Sequence, residues 1–155
     1  MSQRLSVVAQ SRKWLRTPYH HNAAAMGEGV DCARLILESF VDAGIGVERF
    51  DVGQYTHDWH LHRGEEKYLE VVETYLSRVD DVELPLSERG DFSCAPADVL
   101  VWRVGRTFSH GAIVTEWPKV IHAYFPSRMV EEVSVVNTPM AFRPMRVYTY
   151  WGNRS

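Results

Sequence analysis

The hydrophobic pattern of this chain changes its period about two thirds of the way along. In the earlier part, apolar residues recur three and four positions apart, as they do on one face of an α-helix. In the last third, they alternate with other residues over short runs bounded by turn residues, as they do on β-strands. Helices followed by adjacent strands predict an α+β domain, with N-terminal helices packed on a C-terminal antiparallel sheet.

Capping and helix-breaking residues give the predicted elements their bounds. The first helix ends before Pro18, which pushes Thr17 toward extended geometry. Asp31 is a candidate N-terminal cap for the second helix, and Gly44 is a candidate stop. Helices are predicted over 5–15, 32–43 and 68–76, and strands over 99–104, 108–115, 120–124, 129–136 and 146–150.

Length and charge restrict the domain organisation and the partners. The 155 residues suffice for one core, so we expect a single domain over 1–155. A formal net charge of -3 provides no positive field for nucleic acid, and the 17 basic residues form no run typical of a binding arm. No stretch reaches the ~18 consecutive apolar residues of a membrane-spanning helix, so no membrane span is predicted.

The first residues and the cysteines indicate the compartment. The N-terminus lacks the apolar core and cleavage site of a signal peptide, so we expect synthesis in the cytoplasm without an export signal. Cys32 and Cys94 are too few for a disulfide framework, and each is predicted to be a free thiol. No phosphate-binding glycine loop occurs, and no cofactor is predicted.

Cys32 lies where a cysteine can become a nucleophile. It follows the predicted cap Asp31 directly, at the start of a helix whose unpaired amides favour negative charge. The same amides can stabilise the oxyanion that forms when a thiolate attacks an amide carbonyl. The chemistry also needs a histidine that accepts the thiol proton and later donates it to the leaving amine.

Two histidines fall on neighbouring predicted strands. His110 shares a strand face with Ala112, and His122 lies on the next strand. If the hairpin pairs Ala112 with His122, the two imidazoles are diagonal neighbours on one face, within ~7–8 Å. His122 can then orient the ring of His110. Spacing alone slightly favours a different interpretation, in which Cys32 and both histidines are structural core residues.

Five local strings occur in an order that resembles the NlpC-type cell-wall peptidases, a papain-like family, and especially the branch encoded with phage tail genes. The resemblance extends from about Trp14 to Tyr124. The strings are Thr17-Pro18-Tyr19-His20, Gly29-Val30-Asp31-Cys32, Pro96-Ala97-Asp98-Val99-Leu100, Ser109-His110-Gly111-Ala112-Ile113-Val114 and Val120-Ile121-His122-Ala123.

The resemblance implies a papain-like fold and a cysteine endopeptidase that hydrolyses an amide bond in the stem peptide of bacterial peptidoglycan. By the family pattern, Cys32 is the nucleophile, His110 the base and His122 the residue that orients it. The phage-tail branch implies incorporation in a phage or phage-like tail, with other tail proteins as partners.

Further residues near these motifs are candidates for substrate contact. Tyr19 matches a family tyrosine beside the nucleophile, although a tyrosine packed behind a proline turn is equally expected. His20, Asp31 and Ser109 are the other candidates, and the cap role of Asp31 competes with a contact to a substrate ammonium.

This sequence departs from the family pattern at three places. Ala33-Arg34 stand where the nucleophile is usually followed by Ser-Gly, Ala97 replaces a glycine, and Gly111-Ala112 invert the usual bulk after the histidine. The first two changes affect the helix turn packed against substrate, so they bear on specificity more than on chemistry.

The segment 45–63 is rich in histidines and aromatic residues. His57, His60 and His62 lack the spacing of a zinc site and have no evident second ligand cluster, so no metal is predicted. We expect this segment either to pack as a loop or to contact substrate as a lid, with Trp59 as a platform.

Two functions from other classes remain open alongside the peptidase. The first is a catalytically silent tail-assembly or structural protein, because a fold does not by itself determine function. The second is a thiol-dependent amidase or acyltransferase acting on another substrate.

Overall fold

A six-stranded antiparallel sheet organises the structure, which is a computed structural model that describes residues 2–21, 23–45, 67–80 and 82–152. Four strands that are consecutive in the chain form a meander, and the last strand of the chain adds to the free side of the first of these four. A separate two-stranded hairpin precedes the sheet in the chain. The predicted α+β class with an antiparallel sheet is confirmed.

The elements follow one another along the chain as the change of period predicts. The helices are α1 (Gln3–Arg12), α2 (Cys32–Asp42) and α3 (Lys67–Tyr75), and the strands are β1 (Ala24–Ala25), β2 (Gly29–Val30), β3 (Ser77–Arg78), β4 (Val99–Val104), β5 (Thr107–Glu116), β6 (Lys119–Tyr124), β7 (Met129–Ser134) and β8 (Met145–Thr149). Within the described ranges, no helix has both the length and the apolarity to cross a bilayer.

The helices bury their apolar stripes against one face of the sheet. The buried residues of α2 and α3 have the three- and four-residue spacing that the sequence shows, whereas α1 buries the adjacent Val7 and Val8 and leaves Leu5 exposed. Burial of these side chains removes apolar surface from water. The core on this face consists of Val7, Val8, Ile36, Phe40, Leu69 and Val72 from the helices, packed with Val99, Val101, Phe108, Ile113 and Tyr148 from the sheet.

The opposite face of the sheet is covered by segments without helices. Cys94, Val135 and Met140 come from irregular or 3-10 segments and pack on the sheet. The strand residues beneath them are Leu100, Trp102, Ala112, Val114, Val120, Met145 and Val147. The sheet is therefore buried on both faces, which explains why the central strands are almost continuously apolar.

Several local features differ from the prediction. Trp14 and Leu15 lie beyond the end of α1, because that helix ends at Arg12. Ala24–Ala25 pairs with Gly29–Val30 inside a segment predicted as loop. The end of the predicted strand 129–136 is a 3-10 turn, Val135–Asn137. The histidines of segment 45–63 and Trp59 lie outside the described residues.

The segment after α1 runs along the outer edge of β7. The backbone N–H of Arg16 donates to the carbonyl of Val130 at 2.9 Å, and the N–H of Val130 donates to the carbonyl of Thr17 at 2.8 Å. The N–H of Tyr19 donates to the carbonyl of Arg128 at 2.9 Å. These bonds fix the position of Tyr19 relative to the end of the sheet.

Asp98 ties the N-terminal helix to the start of β4. Its side chain is fully buried, forms an ion pair with Arg4 at 2.8 Å and accepts from the backbone N–H of Ala95 at 3.0 Å. The preceding Ala97 has a φ of 68° and is fully buried. A left-handed conformation normally favours glycine, and this is the position where the family pattern has one.

Asp98→Ala is expected to destabilise the fold by roughly 3 kcal/mol, because it leaves a partly buried guanidinium and a backbone N–H without their acceptor. Arg12→Ala is the control, since it removes a more exposed ion pair with Glu132 at 3.0 Å and should cost less than about 1 kcal/mol. Urea denaturation measures both losses. Equal losses would contradict the structural role of Asp98.

Candidate active site

The thiol of Cys32 lies at the start of α2, against strand β5. Asp31 caps the helix as predicted, because its side chain accepts from the backbone N–H of Arg34 at 3.0 Å. The Sγ–H of Cys32 points to the carbonyl oxygen of Ser109, 3.8 Å away. The residue is half-buried rather than sealed in an apolar pocket. The thiol therefore contacts the main chain of the residue that precedes His110.

The two histidines of the β5-β6 hairpin contact each other directly. Ile113 pairs with Ile121 and Val114 pairs with Val120, a register that sets Ala112 opposite His122. The Nε2 atom of His110 and the Nδ1 atom of His122 are 2.9 Å apart. This is the register that the hairpin needs if the two imidazoles are to share one face of the sheet, and the contact between the rings shows that they do share it.

The imidazoles occupy the face of the sheet that the helices do not cover. Ile113 and Ile121, which alternate with the histidines, pack in the cores on the helix side. His110 instead stacks on Trp102, with ring centroids 5.8 Å apart, and His122 stacks on Tyr124, with centroids 4.7 Å apart.

A β-bulge brings the helix start and the histidine strand together. Trp102 pairs with His110 whereas Arg103 pairs with Phe108, so Ser109 is an extra residue between them. Phe108 enters the helix-side core and His110 points to the other face. Cys32 meets the strand at this bulge, a feature that the sequence prediction did not include.

Burial dominates the electrostatics of the histidine pair. His110 and His122 are 9% and 1% exposed. Burial, together with the charges of His122 and Arg143, lowers the pKa of His110 well below its usual value. Burial also lowers the pKa of His122, although Glu131 opposes that shift. Both imidazoles are consequently neutral at physiological pH.

Tyr19 lies near the thiol of Cys32. It packs in the apolar cluster that Cys32 also contacts, and its ring meets Phe125 edge to face at 5.5 Å. Burial raises the pKa of Tyr19, and negative charge on Cys32 and Asp31 raises it further. The phenol therefore keeps its proton and is a hydrogen-bond donor next to the thiol.

The remaining predicted contact residues surround the same helix start, and their substrate roles stay predictions. His20 is exposed, and its ring lies so close to Gly29 that an added Cβ there would be 2.7 Å from the His20 side chain. Asp31 is 1% exposed, and Ser109 is half-buried. Cys94 lies in the other core, 8% exposed.

Glu131 is a site residue that sequence reasoning missed. Its Oε1 atom is 3.2 Å from Nε2 of His122, and the hydroxyl of Ser127 donates to the same oxygen at 2.9 Å. Glu131 pairs with His122 across β6 and β7. Extending the hairpin register to the next strand would have found it. Over the described ranges, no group of three or more His, Cys, Asp or Glu side chains is arranged to hold a metal ion.

Comparison with known proteins locates the fold among solved structures. No protein-family model matches the sequence, and no curated protein matches it. NlpC1 from Trichomonas vaginalis matches with a TM-score of 0.64 at 14% identity, over 94% of this chain and 44% of that protein. The NlpC/p60 domain of the peptidoglycan hydrolase SagA matches with a TM-score of 0.58 at 19% identity, over 93% and 97% of the two chains.

An N-acetylmuramoyl-L-alanine amidase from Bacteroides uniformis has the same fold, with a TM-score of 0.60 at 11% identity over 94% of this chain and 98% of the amidase. At such identities the likeness concerns the fold alone. This chain spans less than half of NlpC1 and nearly the whole of the other two proteins. These structures confirm the predicted papain-like α+β architecture.

The lowered pKa of His110 predicts a specific dependence of stability on pH. In the unfolded chain, this imidazole takes up a proton at about pH 6.5, whereas in the folded protein it does so only at lower pH. The free energy of unfolding therefore falls as the pH drops below about 6.5. Urea denaturation at a series of pH values should show a smaller fall for His110→Asn than for wild type. His20→Asn, at an exposed position, is the control and should follow wild type. Parallel curves for wild type and His110→Asn would contradict the assignment.

Proposed function

We propose that the protein is a cysteine peptidase that hydrolyses an amide bond in the stem peptide of bacterial peptidoglycan. The observation that carries the proposal is the hydrogen bond between His110 and His122. The residue before His110, Ser109, contacts the thiol of Cys32 through its carbonyl oxygen. The minimum set for nucleophilic catalysis on an amide is a nucleophile, a base and a polar group that orients the base. Cys32 at the start of α2 and the pair His110–His122 on β5 and β6 supply these residue types.

The contact between the rings restricts which nitrogen of His110 can act as the base. Because His122 is bonded to Nε2 of His110, Nδ1 is the nitrogen that takes the thiol proton in the proposed reaction. The resulting thiolate attacks the amide carbonyl carbon and forms a tetrahedral intermediate. His110 then donates its proton to the leaving nitrogen, and the C–N bond breaks. The amine departs, and the acyl group remains on Cys32 as a thioester. Water, deprotonated by His110, hydrolyses the thioester and restores the thiol.

Two donors near the thiol serve the negative oxygen of the intermediate. The backbone N–H groups in the first turn of α2 point toward its N-terminal end, where Cys32 lies. The protonated phenol of Tyr19 is the second candidate donor. Because both lie beside Cys32, negative charge that develops on the attacked carbonyl is stabilised where it forms.

The substrate class rests on likeness rather than on the geometry of the site. The ordered motifs resemble cell-wall peptidases, and SagA, which has the same fold, is described as a peptidoglycan hydrolase. The fold also occurs in an amidase that cleaves before the first stem residue, as its name N-acetylmuramoyl-L-alanine amidase states. That amidase makes cleavage at the sugar–peptide junction the second candidate reaction.

Digestion of defined muropeptides tests the reaction. Wild type is expected to create a new amine terminus within the stem peptide, detected by mass spectrometry, and Cys32→Ala is expected to lose this activity. Cys94→Ala is the matched control, because it removes the other cysteine thiol, which lies in a different core from the thiol of Cys32. Release of the intact stem from the sugar would establish the amidase instead. Identical digests from wild type and Cys32→Ala would end the proposal of thiol catalysis and leave a structural role.

We also propose that the enzyme acts from a phage or phage-like tail after synthesis in the cytoplasm. The support is the resemblance of its ordered motifs to the tail-associated branch of the family. Purified tail particles from a host that carries the gene should contain the chain, detected by peptide mass spectrometry, and Cys32→Ala should be incorporated equally. Particles that lack the chain would overturn this part of the proposal.

A further inference from the structure

A chain of hydrogen bonds continues beyond the histidine pair to a carboxylate. We propose that Glu131 is a positioning residue that fixes which nitrogens of His122 and His110 carry protons, and so keeps Nδ1 of His110 able to accept the thiol proton. The catalytic consequence rests on the proposed function. The arrangement of protons rests on the described contacts and on the burial of the two rings.

The carboxylate sets the tautomer of His122. An ionised carboxylate only accepts hydrogen bonds, so Nε2 of His122, 3.2 Å from Oε1 of Glu131, must carry the proton. A neutral imidazole has one N–H, and burial keeps His122 neutral by lowering its pKa. Nδ1 of His122 is therefore an acceptor.

The tautomer of His110 follows from that of His122. Nδ1 of His122 is 2.9 Å from Nε2 of His110, and since Nδ1 is the acceptor, Nε2 of His110 must donate. Neutral His110 then has its lone pair on Nδ1. If the bond between the rings ran the other way, Nδ1 of His110 would carry the proton and the ring would be useless as a base for the thiol.

Two contacts make Glu131 suited to this role. Its Oε1 atom accepts from both Ser127 and His122, so the serine hydroxyl holds the oxygen against the ring. Glu131 is opposite His122 in the sheet, which places the carboxylate within reach by backbone pairing. At 28% exposure, the carboxylate remains partly solvated while the ring beneath it is buried.

The neighbouring Glu132 provides a matched control. It belongs to the same strand, and its side chain pairs with Arg12 and accepts from Thr115 instead of touching a histidine. Glu131→Ala and Glu132→Ala remove the same group from adjacent positions. Only the first variant removes the acceptor for His122.

The proton positions can be measured without substrate by nitrogen-15 NMR of the full chain with labelled histidines. Wild type is expected to show Nε2–H tautomers for both His110 and His122. Glu131→Ala should show a mixture that includes Nδ1–H, and Glu132→Ala should match wild type. Ser127→Ala, which removes only a hydroxyl, should shift the ratio in the same direction by a smaller amount. Unchanged tautomers in folded Glu131→Ala would overturn the inference.

Turnover of muropeptides is the second readout. Glu131→Ala should lower kcat at least about 10-fold with KM changed less than about 2-fold, because loss of a positioning group affects chemistry rather than substrate binding. Glu132→Ala should stay within about 2-fold of wild type. Unchanged kcat in Glu131→Ala would overturn the catalytic consequence. An inactive wild type whose tautomers still depend on Glu131 would overturn the proposed function and leave the proton arrangement standing.

Discussion

The register between β5 and β6 is the constraint on which the site depends. A shift of one residue would move His122 to the helix side of the sheet and separate it from His110. Two apolar pairs hold this register: Ile113–Ile121 enters the helix-side cores, and Val114–Val120 enters the core on the other face. A slipped hairpin would place side chains of the wrong size in both cores. Apolar packing therefore fixes the relative position of the polar pair His110–His122.

Three elements of the fold converge on the candidate site. Helix α2 brings Cys32, the hairpin brings the two imidazoles, and β7 brings Glu131. The β-bulge at Ser109 joins the first two, because it lets a helix on one face contact a strand whose histidine points to the other face.

Features that depend on local sequence were predictable, and features that depend on tertiary contacts were not. The cap Asp31, the bounds of α2 and the hairpin register follow from periods, capping residues and alternation within short segments. The bulge at Ser109 leaves no signal in the pattern, because the alternating run continues unbroken from His110 onward. Glu131 was missed because a carboxylate in a strand is ordinarily solvent-facing, and only its pairing partner distinguishes it from Glu132. The irregular segments that cover the second sheet face carry no periodic signal.

The backbone bonds between the Thr17 segment and β7 have a consequence for how the molecule behaves at high concentration. β7 is an outermost strand of the described sheet, and an uncovered outermost strand offers its free N–H and C=O groups to a strand of another molecule. Arg16 and Thr17 occupy such groups on Val130, and Pro18 brings no N–H to donate. The segment that presents Tyr19 to the thiol thus also shields this edge from intermolecular pairing. Changes at this segment made to alter specificity carry a risk of aggregation that would be mistaken for a defect in catalysis.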